Sequence, residues 1–194
     1  MDKSSLRTQL RATRAAHVAA LPDTTRALIF LRPPGAVQEL VPDDAVVGLY
    51  HATKNEAPAG AYARFFAERG HTIALPRFTG REAPMDFALH QDPFDKGDLV
   101  ETPSGIMQPG PRAQTLVPDV LFVPLLGFTE RGERIGQGAG HYDRWLAEHP
   151  NTVTIGMAWD AQLVDELPTE AHDVPLTAVV TPTRLYGPFD RSMS

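Results

Sequence analysis

Between Gly127 and Leu146 the chain reads Gly-Phe-Thr-Glu-Arg-Gly-Glu-Arg-Ile-Gly-Gln-Gly-Ala-Gly-His-Tyr-Asp-Arg-Trp-Leu. Alternate glycines at 136, 138 and 140 strip side chains from the point where a loop enters a helix, and Tyr142, Trp145, Leu146 and His149 mark that helix by their spacing. Backbone N–H groups at such a place can face an anion, and the helix dipole adds partial positive charge. A phosphate suits it. Glycine spacing alone reads equally well as a flexible surface loop. Arg134 before the glycines and Asp143 after them tilt the reading, since arginine pairs with phosphate and aspartate can hold the cation that accompanies it. The order G-x-G-x-G is not the dinucleotide fingerprint, and the Gly-Lys-Ser/Thr ending of a Walker A loop is missing.

Asp143 and Asp173 are the acids best suited to a hard cation such as magnesium; taken singly, each is as readily a first-turn acid or a turn former. Glu56 follows a strand and could accept hydrogen bonds from a heterocycle, although an ordinary exposed carboxylate before a helix is the simpler reading. His51 and His141 could move protons near neutral pH. Arg77 after Pro76 reads as a strand-end surface residue, and Ser104-Gly105 lacks the pattern of a hydrolase elbow. Near the N-terminus Lys3, Arg7, Arg11 and Arg14 recur at intervals of four, four and three, forming one basic stripe on a helix from Lys3 to about Leu21. Such a stripe is commonly a solvated face; the functional alternative is a clamp on an anionic ligand.

The elements that position these residues alternate. Strands are expected at Val46–Tyr50, Thr72–Leu75, Val120–Leu126, Thr152–Ala158 and Thr177–Thr181, with helices from Pro58 to Gly70 and after Gly140, and a short helical segment over Ala161–Leu167. Phe78 to Pro118 is read as short strands and loops, and Gly187–Ser194 as a frayed tail. The strand–helix–strand unit over 46–75 calls for parallel strands, with ligands outside their carboxyl ends. At 194 residues and 42% hydrophobic content one domain with a substantial core is expected. A net charge of -6 gives no footprint for nucleic-acid binding, and the absence of cysteine removes disulfides, zinc–thiolate sites and thiol nucleophiles. No apolar run is long enough for a membrane span.

Taken together these residues resemble the 5-formyltetrahydrofolate cyclo-ligase family. The resemblance runs through Lys3-Ser-Ser-Leu-Arg7, Glu56, Leu75-Pro-Arg77, Met85-Asp-Phe87 and Pro118 to Phe128, and is most specific over Gly132 to Arg144 and at His172-Asp173-Val-Pro175. It implies a single-domain three-layer α/β/α fold with a mostly parallel central sheet (Rossmann-like, of the NagB/RpiA/CoA transferase type) over residues 1–186, with a tail at 187–194. It further implies ATP contacts at Lys3, Ser4, Ser5, Leu6, Arg7, Arg134, Ile135, Gly136, Gln137, Gly138, Ala139, Gly140, His141 and Tyr142. Substrate contacts are implied at His51, Glu56 and Gln137 to His141, and magnesium ligands at Asp143 and Asp173.

The implied reaction closes 5-formyltetrahydrofolate to 5,10-methenyltetrahydrofolate at the expense of ATP, through a phosphorylated formyl oxygen. No covalent enzyme intermediate is needed. His141 stands where the family often has tyrosine, Gln137 where arginine or tyrosine is frequent, and Gln108-Pro109 where Glu-Pro is usual. A cytoplasmic location is expected, because a cleaved transit peptide could not supply the Lys3 and Arg7 that match the family, and a monomer is expected. The loop from Arg134 to Gly140 is expected to be mobile without ligand. Two other readings stand beside this one: a non-catalytic nucleotide or sugar-phosphate sensor, and a dinucleotide-dependent oxidoreductase that the glycine spacing disfavours.

Overall fold

The computed structural model describes residues 2–80, 83–170 and 173–189. Helices α1 (Lys3–Ala20), α2 (Asp23–Leu28) and α3 (Gly35–Gln38) lead into strand β1 (Val46–Gly48), helix α4 (Gly60–Glu68) and strands β2 (Thr72–Arg77) and β3 (Asp86–Leu89). A hairpin follows, β4 (Leu99–Glu101) and β5 (Met107–Pro109), then β6 (Thr115–Leu116) and β7 (Val120–Pro124). A second hairpin, β8 (Gly127–Phe128) and β9 (Arg134–Ile135), precedes α5 (His141–Glu148), β10 (Val153–Met157), β11 (Ala178–Val180) and β12 (Leu185–Tyr186).

Eight of these strands form one sheet in the order β12-β11-β10-β7-β1-β2-β3-β6. The run from β11 to β2 is parallel and the edge pairings are antiparallel. The expected mostly parallel α/β fold is borne out. In β7 the strand period of two sends Val120 and Phe122 to one face and Leu121 and Val123 to the other, and all four are buried. The first face packs on Val18 of α1 and on Tyr62 and Phe66 of α4; the second packs on Trp145 and Leu146 of α5. These are the three layers.

Three local expectations change. The helical segment at Ala161–Leu167 is a single 3-10 turn, Asp160–Gln162, because Leu163 bridges to Phe128 and Leu167 packs in a cluster with Leu10, Leu126 and Ile135. Arg77 is no surface residue: its guanidinium grips both carboxylate oxygens of Asp86 at 3.0 and 2.7 Å and donates to the Gly110 and Ala113 carbonyls, tying β2 to β3 and to the chain beyond β5. Gly187–Phe189 is not frayed, since the Phe189 N–H donates to the Thr177 carbonyl at 2.7 Å and its ring packs on the α5 side of the core. The rest of that tail lies outside the described residues.

Candidate functional site

The carboxyl ends of β1, β2 and β7 open onto a cavity of about 1010 Å³. Its lining joins Tyr50, His51 and Glu56 beyond β1, Phe78 beyond β2, Pro124 at the end of β7, and the chain from Arg134 to Asp143. Parallel sheets place ligands here because every crossover leaves the strand ends uncovered on this side.

The glycine loop is held from α1. Arg7 Nε donates to the Gly136 carbonyl at 3.1 Å, and Arg11 holds Gln137 twice, through Oε1 at 3.0 Å and the carbonyl at 2.9 Å. Gly138 and Gly140 have φ of +109° and +68°, which explains why side chains are missing there. Gly140 is the N-cap of α5 and supplies no side-chain hydrogen bond, leaving the first-turn amides to another acceptor.

Charged groups line the same side. Lys3 Nζ lies 2.8 Å from Asp173 and 3.3 Å from Glu170. Burial works against the Lys3 charge, but the two acids outweigh it and raise its pKa. Arg134 pairs with Asp143, while its Nε is buried without a hydrogen-bond partner among the described residues. A second recess of about 710 Å³ lies against the loop, lined by Ser4, Arg7, Arg11, Gln137 and Arg144 among others. Helical spacing places Arg11 on the basic stripe but does not say what that stripe faces; here it faces the glycine loop.

On the opposite side Tyr50 is buried and His51, Glu56 and Tyr142 are half-buried. The Tyr50 hydroxyl donates to the Ala57 carbonyl at 2.5 Å, and the Glu56 carboxylate accepts the Thr53 N–H at 2.8 Å. Burial first, then the Glu56 charge, pushes the Tyr50 and Tyr142 phenols up. Burial, helped by Lys96 and His90, pushes His51 below its ordinary value of 6.5, favouring the neutral imidazole. His141 meets the Phe78 ring edge-on at 5.0 Å, and the Gln108 amide fixes the Phe78 backbone at both N–H and carbonyl. The β4–β5 turn, Thr102 to Ile106, adds a rim of its own to the cavity.

Of the sequence-selected residues, the structure gathers Lys3, Arg7, His51, Glu56, Arg134 to Tyr142, Asp143 and Asp173 in this one lining. It leaves Ser4 in the second recess; Ser5 is an exposed side chain bonded to Asp2, and Leu6 packs against the Leu10–Leu126 cluster. His172 lies outside the described residues. Among the described residues no group of three or more His, Asp or Glu side chains forms a metal cage. Magnesium usually takes only one or two carboxylates with waters and substrate phosphates, so Asp143 and Asp173 on one cavity fit such an ion. No helix among the described residues is long and apolar enough to cross a membrane.

A 5-formyltetrahydrofolate cyclo-ligase of Mycolicibacterium smegmatis is 32% identical over 188 residues, covering 94% of this chain and 95% of that protein. The Escherichia coli cyclo-ligase is 50% identical over 70 residues, a stretch that spans 35% of this chain and 38% of that relative. The NMR structure of 5,10-methenyltetrahydrofolate synthetase from Aquifex aeolicus superposes with a TM-score of 0.74 at 25% identity, covering 100% of this chain and 97% of that one. The Mycoplasma pneumoniae synthetase, at 22% identity and a TM-score of 0.66, shares the fold. The pattern of the cyclo-ligase family matches residues 1–182, and on that match the chain belongs to the 5-formyltetrahydrofolate cyclo-ligase family, a family of ligases.

Proposed function

We propose that this chain closes 5-formyltetrahydrofolate to 5,10-methenyltetrahydrofolate in an ATP- and magnesium-dependent reaction that releases ADP and phosphate. The observation that carries the reading is the single cavity of about 1010 Å³, which joins a glycine loop at a helix N-terminus to a half-buried carboxylate, Glu56, flanked by the buried Tyr50 and the half-buried Tyr142. Its size stands at the upper end of small-molecule sites, roughly 300–1,000 Å³, as a site for two substrates requires. Lys3, Arg7 and Arg134 offer donors to the phosphates, and the loop amides from Gly136 to His141 add dipoles. Asp143 and Asp173 would hold magnesium, which would neutralise charge on the phosphates. Glu56 and His51 receive the pterin end, with Glu56 as an acceptor for its N–H groups.

In this reading the formyl oxygen takes the terminal phosphoryl group, the neighbouring amine nitrogen attacks the activated carbon, and phosphate leaves as the ring closes. The chain contributes position and charge stabilisation, which dominate phosphoryl transfer. Gln137 brings no charge of its own, but Arg11 bound to it supplies a guanidinium at the same point. A cytoplasmic monomer and a loop that is mobile until ATP binds belong to the same proposal.

The test is the absorbance rise of methenyltetrahydrofolate when the protein meets 5-formyltetrahydrofolate, ATP and magnesium, each omitted in turn. A rise that needs all three supports the reading. No rise, with ATP still bound, replaces it with the sensor.

A further inference from the structure

Three members of the basic stripe reach acids or the glycine loop: Lys3 meets Asp173, Arg7 meets Gly136 and Arg11 meets Gln137. Arg14 does not follow them. It is 6% exposed, its Nη1 donates to the Leu125 carbonyl at 3.2 Å, and its Nε is buried with no hydrogen-bond partner among the described residues. The Leu125 carbonyl is also held by the Gln162 amide at 2.7 Å, so it is shared. A guanidinium has five N–H donors and keeps its proton, and burying it beside one shared carbonyl is costly unless a counter-charge stands near.

Glu56 is the acid within electrostatic reach. It offsets the burial that pushes Arg14 down, Arg11 acts in the opposite sense, and Tyr50 feels both Glu56 and Arg14. Tyr50, Glu56 and Pro124, the residue before Leu125, all line the cavity, whereas Arg14 is not among its lining residues. Arg14 therefore lies behind the Pro124–Leu125 stretch of the wall, and Glu56, half-buried on the cavity side, is within its electrostatic reach.

We infer that Arg14 is a positioning residue for the heterocycle end of the cavity: its buried, incompletely bonded charge is the counter-charge of Glu56 and holds that carboxylate as an acceptor for ligand N–H groups. This rests on the reading of Glu56 given above. The competing role is mechanical, with Arg14 only fastening α1 to the Leu125 carbonyl.

Arg14→Gln separates the two, because glutamine keeps a donor for that carbonyl and removes the charge. The KM for 5-formyltetrahydrofolate should rise about tenfold while the KM for ATP stays within about twofold, and Arg14→Lys should recover most of the loss. Thermal unfolding without substrate supplies a second readout. Added to Arg14→Gln, Glu56→Gln should restore part of the lost melting temperature by removing the uncompensated carboxylate, so the double variant is non-additive. Additive losses in that cycle overturn the pairing whatever the activity does. Coupled stabilities with an unchanged folate KM in Arg14→Gln leave the pairing but overturn the positioning role, whereas an unchanged folate KM in Glu56→Gln alone overturns the reading of Glu56. Should Arg14→Gln not fold, the same cycle is run with Arg14→Lys and Arg14→Met.

Discussion

On one side of the cavity Lys3 and Arg134 are held by carboxylates, and Arg7 and Arg11 by the backbone and amide of a glycine loop. On the other, Tyr50 and Glu56 are fixed by short-range backbone bonds to Ala57 and Thr53, and Tyr142 is desolvated against Glu56. The first side has exchangeable partners: phosphate oxygens can take the donors that Asp173, Glu170 and Asp143 now occupy. The second is already formed. A preorganised surface loses little freedom on binding, so selectivity for a heterocycle belongs there, while the ion-paired side carries charge neutralisation and salt sensitivity.

The largest expected effect is on the charged side. Arg134→Met should lower turnover by roughly 10²–10³-fold, as loss of a donor aimed at developing charge does, with initial rates as the measurement. A variant that keeps near-normal rates removes Arg134 from phosphoryl stabilisation. Gly138→Ala comes next: at φ +109° with the added methyl 3.3 Å from Arg7 Nε, it strains the loop by about 1–3 kcal/mol. The KM for ATP should rise more than that for the folate; an equal rise in both would mean that the loop serves the two ligands alike.

Across the cavity, Tyr50→Phe removes the bond to Ala57 and should cost about 1 kcal/mol, a fall of about 2–4 °C in melting temperature for a chain of this size. An unchanged melting temperature would show that this side is not held by that bond. His51 supplies a pH test. Its folded pKa lies below the ordinary 6.5, so its contribution to stability is present above that value and is lost as pH falls through the folded pKa. Melting temperature should decline below pH 6.5, and His51→Gln should make the decline shallower; an identical profile in that variant assigns it to other groups. The smallest effect is Arg11→Ala, an exposed contact worth roughly a few tenths of a kcal/mol, whose influence on nucleotide binding should fade with added salt.

Much of the framework was legible because it is local. The helix expected from Lys3 to about Leu21 spans Lys3–Ala20, and the strands expected near 46, 72, 120, 152 and 177 are all present in the main sheet. Their periodicity repeats over several residues, which makes it readable. Strands β8 and β9, of two residues each, are too short for any period, so what reads as a direct run from strand into loop contains a hairpin. Arg77 reads as a surface residue for a different reason: its partners Asp86, Gly110 and Ala113 are set by how β3 and the β4–β5 segment fold back, not by its neighbours in sequence.

By itself the sequence determined the α/β alternation, the anion-suited loop and the absence of thiol chemistry, since these depend on residue type and spacing along one stretch of chain. Only the tertiary structure decided which cations meet which acids. Lys3 and Asp173 are 170 residues apart, and Arg14 is buried where Arg11 is exposed, although both lie on one helix. Spacing gives a helix its faces; the surface packed against each face decides whether a charge becomes ligand contact, solvent contact or buried counter-charge.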